Sequence, residues 1–388
     1  MFTRLRIDYF MFAIAAGLAL FGTLMVYSAS AMISQRETQG ATQFSYFYKQ
    51  LTFTLLGIGA MYLVSRFDYR KLQNEKIAYG LLAVTCVLLL AVFVFPEING
   101  ARRWIRFGGF SFQPSELAKI SLPIFLAFFL TKNEANVTDL KTTVIKCVGV
   151  LALLIALIFK EPDLGTAIVL CAVFSTVYFA AGANILHIAA LGGSMLVLAA
   201  TAVVLAPWRM LRVFAFLDPY AHADDAGFQV VQSLYAIGSG GILGEGYGMG
   251  PQKLFYLPYP YSDFIFSVVG EELGLIGTLA VVTAFGLLLW RGSRAALTAP
   301  DRFGMLLGIG LITGIIVQAL FNISVVISIV PAKGIPLPFI SYGGTSVLMT
   351  LVSVGILLSI SERSGEAPVD SKIAEPAVHR RKARRAYR

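Results

Sequence analysis

Apolar runs about as long as a bilayer is thick recur along the whole chain, and they constrain its fold more than any other feature. A membrane-spanning helix needs about 20 predominantly apolar residues. Only 14% of the 388 residues are charged, against about 25% in soluble domains, and the mean hydropathy is +0.75. The runs are continuous rather than alternating, which argues against a β-barrel. The sequence therefore predicts an all-α polytopic membrane protein with about ten transmembrane helices, at residues 8–30, 48–66, 77–96, 115–131, 144–160, 163–182, 185–206, 264–290, 303–330 and 340–361.

The two ends of the chain bear on its orientation. Arg4 and Arg6 precede an apolar run too long for a typical signal peptide, so we interpret this run as an uncleaved first helix. Ten spans place both termini on the same side. With both ends in the cytoplasm, the inner segments carry more lysines and arginines than the outer ones, although residues 362–388 supply most of the excess. We expect this basic cytoplasmic tail to be disordered and to contact anionic lipid rather than nucleic acid.

A long connection, residues 207–262, separates the seventh and eighth spans. Connections between helices in bundles usually have roughly 2–8 residues. This one is rich in glycines and aromatic residues, so it is too apolar for a disordered linker, and long irregular loops in compact folds are usually functional. We therefore divide the chain into a transmembrane domain, residues 1–361, which includes this large outer loop, and the tail at residues 362–388.

Positive charges on the outer side oppose the usual bias and indicate an anionic ligand there. Arg102 and Arg103 stand beside Trp104 at a predicted membrane interface, and arginine forks bind phosphate or carboxylate oxygens. Further on, Glu116 and Lys119 are three residues apart and share a helix face. An ion pair just inside a membrane is costly and indicates function. The alternative is a structural pair that holds two helices together.

Two short connections carry further candidates. Asp163 follows Pro162 in the first turn of a predicted helix, where the helix dipole stabilises a carboxylate, and a helix-start role without chemistry is the alternative. Lys333 precedes two prolines that interrupt the chain at the outer face. Such irregular backbone is tolerated in a membrane protein where it lines a water-filled cavity. The glycines of the large loop match neither a P-loop nor a Rossmann fingerprint, so no nucleotide site is predicted.

Asp263 stands where the large loop meets the next span. Ser262 suits an N-cap, which predicts that Asp263 is the first helical residue. A carboxylate there suits a general base at the boundary between water and membrane, and the alternative is an anion that only stabilises the helix start. Glu271 and Glu272 lie about two turns deeper without a cation nearby in sequence, so each needs a partner from another helix.

Together these motifs resemble the SEDS family (shape, elongation, division and sporulation), whose members include FtsW, RodA and SpoVE. The similarity spans about residues 8–361, and residues 252–258 are most similar to the division branch. Residues 259–262 depart from the family, which usually has an acidic residue and a His-Thr pair before this aspartate. The matching motifs are Arg103-Trp104, Gln113-Pro114-Ser115-Glu116, Pro162-Asp163-Leu164-Gly165-Thr166, Gln232-Ser233, Asp263-Phe264-Ile265-Phe266, Glu271-Glu272-Leu273-Gly274, Pro336-Leu337-Pro338 and Ser341-Tyr342-Gly343-Gly344.

The resemblance implies a peptidoglycan glycosyltransferase that polymerises lipid II at the outer face of the bacterial cytoplasmic (inner) membrane, in septal cell-wall synthesis. It also implies a set of partners: lipid II, the nascent glycan strand, a class B penicillin-binding transpeptidase and other division proteins. The catalytic aspartate of the family corresponds to Asp263. The substrate-binding candidates are Arg102, Arg103, Glu116, Lys119, Asp163, Lys253, Lys333 and Ser341.

The residue types suit this chemistry. A carboxylate can take the proton of the acceptor hydroxyl, and cations can stabilise undecaprenyl pyrophosphate as it leaves, so a single displacement predicts inversion. A divalent cation, Mg²⁺ or Mn²⁺, could bridge pyrophosphate and carboxylates, but no ligand cluster requires one, so no cofactor is certain. The sequence leaves two other functions open: a lipid II flippase, suggested by the intramembrane charges, and a non-catalytic division scaffold that recruits a transpeptidase.

Overall fold

The computed structural model describes residues 8–97, 100–107, 110–225, 227–253 and 257–364, and the predicted basic tail beyond Ser364 lies outside them. Within the described residues, helices occupy all ten predicted runs, and two further helices lie in the predicted loop. A two-stranded hairpin completes the fold. The helices are α1 (Tyr9–Glu37), α2 (Ser45–Arg66), α3 (Glu75–Ala91), α4 (Pro114–Lys132), α5 (Ile145–Lys160), α6 (Leu164–Ala180), α7 (Ile185–Val204), α8 (Pro207–Leu217), α9 (Phe228–Ser239), α10 (Ile265–Leu297), α11 (Arg302–Val326) and α12 (Gly344–Glu362), and the strands are β1 (Ile105–Phe107) and β2 (Phe110–Phe112).

Six of the described helices are long and apolar enough to cross a membrane. They are α1, α3 with the 3₁₀ turn that extends it to Val94, α4, α10, α11 and α12. α6 and the first part of α7 are also apolar but shorter. The chain is therefore a multi-pass helical membrane protein, and the count of ten transmembrane helices stays a prediction.

Side-chain caps define where several helices begin. Asp8 caps α1, Asp163 caps α6 and Asp301 caps α11, and each carboxylate accepts a hydrogen bond from the backbone N–H three residues on. Such caps satisfy donors that have no partner within the helix. Pro114 is the first residue of α4, as predicted, because its missing N–H is not needed there.

The interior of the bundle is built around α4 and α11. α4 packs against α3, α6 and α11, while α11 also contacts α10. Small residues let these helices approach closely: a Cβ added at Gly310 of α11 would lie 2.8 Å from the Cβ of Pro123. Because α4 and α11 are surrounded by other helices, polar residues along their length such as Glu116, Gln318 and Asn322 are buried within the protein.

α10 is interrupted at Gly274, which has φ 64° and ψ −158°. The carbonyls of Glu271 and Glu272, freed by the break, accept hydrogen bonds of 3.0 Å from the backbone N–H groups of Glu245 and Gly246 in the large loop. Backbone groups at membrane depth need partners from protein, and the loop supplies them here. The large loop is therefore attached to α10 by backbone pairing.

The structure corrects the prediction that the whole connection between α7 and α10 is irregular. α8 and α9 lie within it. α9 buries Val230, Val231, Ser233 and Ala236 on one side and packs on α10 and α11. This spacing of buried residues is that of an amphipathic helix, so the apolar face of α9 reflects packing.

The hairpin of β1 and β2 directly follows the predicted arginine cluster. Its strands are antiparallel, with Ile105 opposite Phe112. The hydroxyl of Thr345, at the start of α12, donates a hydrogen bond of 2.9 Å to the carbonyl of Ser111 in β2. This hydrogen bond joins the hairpin to the start of α12, and the preceding Trp104 lines a cavity beside it.

Candidate active site

A cavity of about 370 Å³ lies where the ends of several helices meet, and we call it the aspartate cavity. It brings together six of the nine predicted site residues. Its lining also includes Arg212, Gln318 and Tyr259, which were not proposed as site residues from the sequence. The predicted residues that line it are Arg103, Glu116, Lys119, Asp163, Asp263 and Lys333.

Asp263 lies just before α10 rather than in its first turn, which corrects the prediction for this residue. The helix begins at Ile265, and its N-cap position is held by Phe264 without a side-chain cap. The carboxylate of Asp263 accepts a hydrogen bond from the Ser262 hydroxyl, 3.0 Å from Oδ1. The Asp263 carboxylate therefore does not cap α10, and both its role as a base and the alternative of an anion that only stabilises the helix start stay predictions.

A network of polar side chains holds the backbone around Asp263. The side-chain amide of Asn322 in α11 donates to the carbonyls of both Asp263 and Ile335, each at 2.7 Å. Ser341 donates to the carbonyl of Ser262 at 2.6 Å and accepts from the N–H of Leu337. Ser341 thus does not line the aspartate cavity but supports the segment that carries Asp263. Asn322 was missed because it is one polar residue inside a long apolar run.

The environment of Asp263 favours proton exchange. The carboxyl is partly buried, and burial raises its pKa above the ordinary value of 3.8. The hydrogen bond from Ser262 and the charges of Arg103 and Arg212 oppose this rise, while the negative charge of Asp163 adds to it. A carboxyl group with a raised pKa is a stronger base than an ordinary aspartate.

Asp163 combines a capping role with a place at the cavity wall. Its carboxylate accepts from the backbone N–H of Thr166 at 3.1 Å and from the Thr166 hydroxyl at 2.9 Å. The side-chain amide of Gln113 lies 3.3 Å from the same carboxylate. Asp163 thus caps α6 from just before the helix rather than from its first turn, and a substrate contact at the cavity stays a prediction.

Glu116 and Lys119 of α4 form the predicted ion pair, with 2.7 Å between the carboxylate and the ammonium group. The ammonium group also donates to the side-chain oxygen of Gln318 in α11, 2.6 Å away, and Gln318 in turn donates to the carbonyl of Pro336. The pair therefore joins two interior helices, as the structural alternative expects, and it also lines the aspartate cavity.

Arg103 connects the hairpin to the turn between α5 and α6. Its guanidinium donates to the carbonyls of Glu161 at 2.9 Å and Pro162 at 2.7 Å, which uses two of its five N–H donors. The Glu161 carboxyl is fully buried, and neither oxygen has a hydrogen-bond partner among the described residues. Burial and the negative charge of Asp163 raise the pKa of Glu161 to about 8, against the opposing charge of Arg103.

Arg102 and Lys253 lie away from the aspartate cavity. Arg102 is exposed, and its guanidinium donates to the carbonyl of Phe93 at 3.1 Å. Lys253 is buried, and its ammonium group lies 2.5 Å from the carboxylate of Glu272 and 2.9 Å from the hydroxyl of Ser28. Glu272 thus has the cationic partner that it was predicted to need. The partner comes from the large loop rather than from another helix.

The described residues contain no group of three or more His, Cys, Asp or Glu side chains that could hold a metal ion. Of the three carboxylates that line the aspartate cavity, Glu116 is paired with Lys119 and Asp163 caps α6. These residues do not fit a metal site built from protein ligands alone.

Comparison with known proteins gives consistent matches over nearly the whole chain. The family model for FtsW, RodA and SpoVE, described as cell cycle protein, matches residues 8–366. A Geobacter metallireducens protein named probable peptidoglycan glycosyltransferase FtsW is 40% identical, over 94% of this chain and 96% of its own length. Stage V sporulation protein E of Bacillus subtilis is 39% identical, over 92% of this chain and 97% of its own length.

Solved structures give the same result for the fold. A chain from a peptidoglycan synthase complex that coordinates polymerization and crosslinking matches with a TM-score of 0.75 and 28% identity, covering 93% of this chain and 99% of that one. The rod shape determining protein RodA of Thermus thermophilus matches with a TM-score of 0.66 and 25% identity, covering 94% and 99%. The resemblance predicted from the motifs is confirmed, and the chain belongs to the FtsW/RodA/SpoVE family of cell cycle proteins.

Proposed function

We propose that this chain is a peptidoglycan glycosyltransferase that polymerises lipid II into β-1,4-linked glycan strands, as the names of its relatives suggest. The observation that supports the mechanism is the placement of Asp263. Its carboxylate faces a cavity that also holds Arg103, Lys119 and Lys333, and it is not used to cap a helix. A base and several cations in one cavity suit a reaction in which a hydroxyl attacks and a pyrophosphate leaves.

In this mechanism Asp263 accepts the proton of the acceptor GlcNAc 4-hydroxyl. The hydroxyl oxygen bonds to C1 of the donor MurNAc while the bond from C1 to the pyrophosphate oxygen breaks. Undecaprenyl pyrophosphate leaves with the electron pair, and Arg103, Lys119 and Lys333 stabilise its developing charge. The single displacement inverts the α-linked donor to a β-linked product, and the proton then passes from Asp263 to water.

The membrane arrangement is part of the proposal. In it, the chain crosses the bacterial cytoplasmic membrane ten times, with both termini inside and with the aspartate cavity and the bulk of residues 207–262 outside. The branch similarity of residues 252–258 suggests septal synthesis, with a class B penicillin-binding transpeptidase and other division proteins as partners. The similarity to a chain of a peptidoglycan synthase complex supports such a partnership.

The test is polymerisation of fluorescent lipid II by the purified full chain with its transpeptidase partner. We expect a ladder of glycan strands that a muramidase digests to β-linked disaccharides. Absence of polymer, together with movement of the lipid II headgroup across liposomes, would support the flippase alternative. Absence of both would leave the scaffold as the remaining candidate and refute the proposed activity.

Gly334 lies against the carboxylate of Asp263, and a side chain there would displace it. A Cβ added at Gly334 would be 2.7 Å from Oδ2 of Asp263, closer than real Cβ contacts allow. We expect Gly334→Ala to lower the polymerisation rate roughly 10- to 100-fold, because small misplacements of a reacting group are costly. Gly17→Ala is the matched control, since its Cβ meets nothing within 4 Å. Equal rates for both variants would contradict this position of the carboxylate.

The raised pKa of Asp263 predicts how the rate depends on pH. A general base acts only when deprotonated, so the rate falls as pH drops through the raised pKa and is restored above it. Glu161, with a pKa of about 8, titrates near the same site, so the profile is also measured in Glu161→Gln. We expect the acid limb of the initial rate to persist in that variant. An acid limb centred at or below the ordinary aspartate value of 3.8 would be inconsistent with a perturbed aspartate base.

A further inference from the structure

A second cavity, of about 580 Å³, lies on the other side of the segment that carries Asp263. We call it the tyrosine cavity, because Tyr46, Tyr261 and Tyr342 form part of its wall. Trp104, Ser262, Tyr342 and Gly343 line both cavities, so the two are neighbours across a shared wall. Its volume is within the range of about 300–1,000 Å³ that is typical of small-molecule sites.

The three tyrosine rings pack on one another and remain partly exposed to the tyrosine cavity. The centroid of Tyr46 lies 4.7 Å from that of Tyr261 and 5.0 Å from that of Tyr342, and Tyr261 and Tyr342 are 5.6 Å apart. The backbone N–H of Tyr342 donates to the carbonyl of Tyr261 at 2.9 Å, which joins the two segments that carry these rings. The result is an aromatic wall contributed by three separate segments of the chain.

Polar groups surround this aromatic wall. The Tyr46 hydroxyl donates to the carboxylate of Glu37 at 2.8 Å, and Lys49 and Arg106 are exposed side chains of the same cavity. A pyranose ring has C–H bonds on its faces and hydroxyls around its edge. Tyrosine faces attract C–H groups, and the surrounding hydroxyls, carboxylate and cations can bind the sugar hydroxyls and the carboxylates of an attached peptide. The chemistry of the wall therefore fits a saccharide better than a lipid chain.

The relative position of the two cavities fits the geometry of the reaction. In an inverting displacement, the attacking hydroxyl and the leaving group occupy opposite faces of the reacting sugar. The cations assigned to the leaving pyrophosphate line the aspartate cavity, so the acceptor has to approach from another side. Ser262 lines both cavities and donates to the carboxylate of Asp263, which places the proposed base next to the shared wall.

We propose that the tyrosine cavity binds the acceptor saccharide, with a sugar ring against Tyr46, Tyr261 and Tyr342 and its 4-hydroxyl directed across Ser262 to Asp263. This inference rests on the proposed glycosyltransferase function. Tyr261 and Ser262 belong to the segment that departs from the usual family pattern, so the departure contributes ring surface to the acceptor site of this chain.

The test measures the Kd of a soluble GlcNAc–MurNAc-peptide disaccharide for the purified full chain. This probe lacks the pyrophosphate, so it can act as an acceptor but not as a donor. We expect Tyr46→Ala to raise the Kd at least about tenfold, because the ring contact is lost. Tyr46→Phe keeps the ring and should raise the Kd much less. Tyr48→Ala is the matched control, because Tyr48 is on the same helix, 60% exposed and outside the tyrosine cavity.

The outcomes separate this inference from the proposed function. A Kd that Tyr46→Ala leaves unchanged, an equal rise in Tyr46→Phe, or no binding to wild type at millimolar disaccharide would each overturn the acceptor site, even in a chain that polymerises lipid II. A wild-type chain that binds the disaccharide through Tyr46 but makes no polymer would refute the glycosyltransferase and leave a saccharide site. Displacement of the disaccharide by anionic phospholipid vesicles alone would identify the cavity as a lipid site and refute the proposal.

Discussion

Asp263→Asn is expected to lower the polymerisation of lipid II by about 10²–10⁴-fold, the usual contribution of a positioned general base. Asparagine has nearly the same shape as aspartate but cannot accept the proton of the acceptor hydroxyl at neutral pH. Because the Asp263 carboxylate caps no helix, and the backbone of its segment is held by Asn322 and Ser341, the fold should not depend on it. The measurement is the initial rate of glycan synthesis by the purified chain with its transpeptidase partner.

Two comparisons make this result specific to the chemistry. Thermal unfolding of Asp263→Asn should occur within a few degrees of wild type, which excludes loss of fold as the cause. Asp224→Asn removes an exposed carboxylate of the large loop that does not line the aspartate cavity and should keep the full rate. A wild-type rate in Asp263→Asn would remove this residue as the base. Asp163 would then be the remaining carboxylate to test, because Glu116 is committed to Lys119.

The distribution of apolar residues predicted much of the fold, because lipid requires every backbone group to be satisfied within a helix. Each predicted run contains a helix, and Pro114 begins α4 as expected. The helix start near Asp263 was misjudged by two residues. Serine is a preferred N-cap residue, but the contacts of Ser262 in the fold keep it from capping α10. Its hydroxyl donates to Asp263, and its carbonyl accepts from Ser341.

The candidate site was predictable where several polar residues occur together in one segment. Arg103, Glu116 and Asp163 were found in this way. A single polar residue within an apolar helix does not indicate a site, so Asn322 and Gln318 were missed. Their side-chain amides nevertheless donate to the backbone of the segments around the cavity, at Asp263 and Pro336. The tyrosine cavity could not be predicted because Tyr46, Tyr261 and Tyr342 come from three distant segments, and only folding brings them together.

Lys253→Met is expected to destabilise the folded chain by about 3–5 kcal/mol, the usual effect of leaving a buried charge without its partner. The ammonium group of Lys253 lies 2.5 Å from the Glu272 carboxylate, and the two side chains are only 7% and 0% exposed. The same carboxylate accepts from the hydroxyl of Ser28 and the N–H of Gly248, so the pair ties α1, the large loop and α10 together. Thermal unfolding of the purified chain in detergent measures the loss.

A surface ion pair of similar geometry supplies the control. Lys132 and Glu75 are 2.9 Å apart but 53% and 61% exposed, so Lys132→Met should cost about 1 kcal/mol or less. The double variant Lys253→Met with Glu272→Leu removes both buried charges and should recover much of the stability lost in the single variant. Equal losses for Lys253→Met and Lys132→Met would show that the buried pair contributes no more than a solvated one.

The Lys253 variants also separate two roles for this lysine. If it binds the pyrophosphate of the substrate, as the sequence predicts, the double variant stays inactive although its stability recovers. If it serves only to close the large loop over α10, the double variant regains both stability and polymerisation. We expect the second result, because the ammonium group is enclosed by Glu272 and Ser28 and does not line the aspartate cavity. A stable double variant without activity would instead place Lys253 on the path of the substrate.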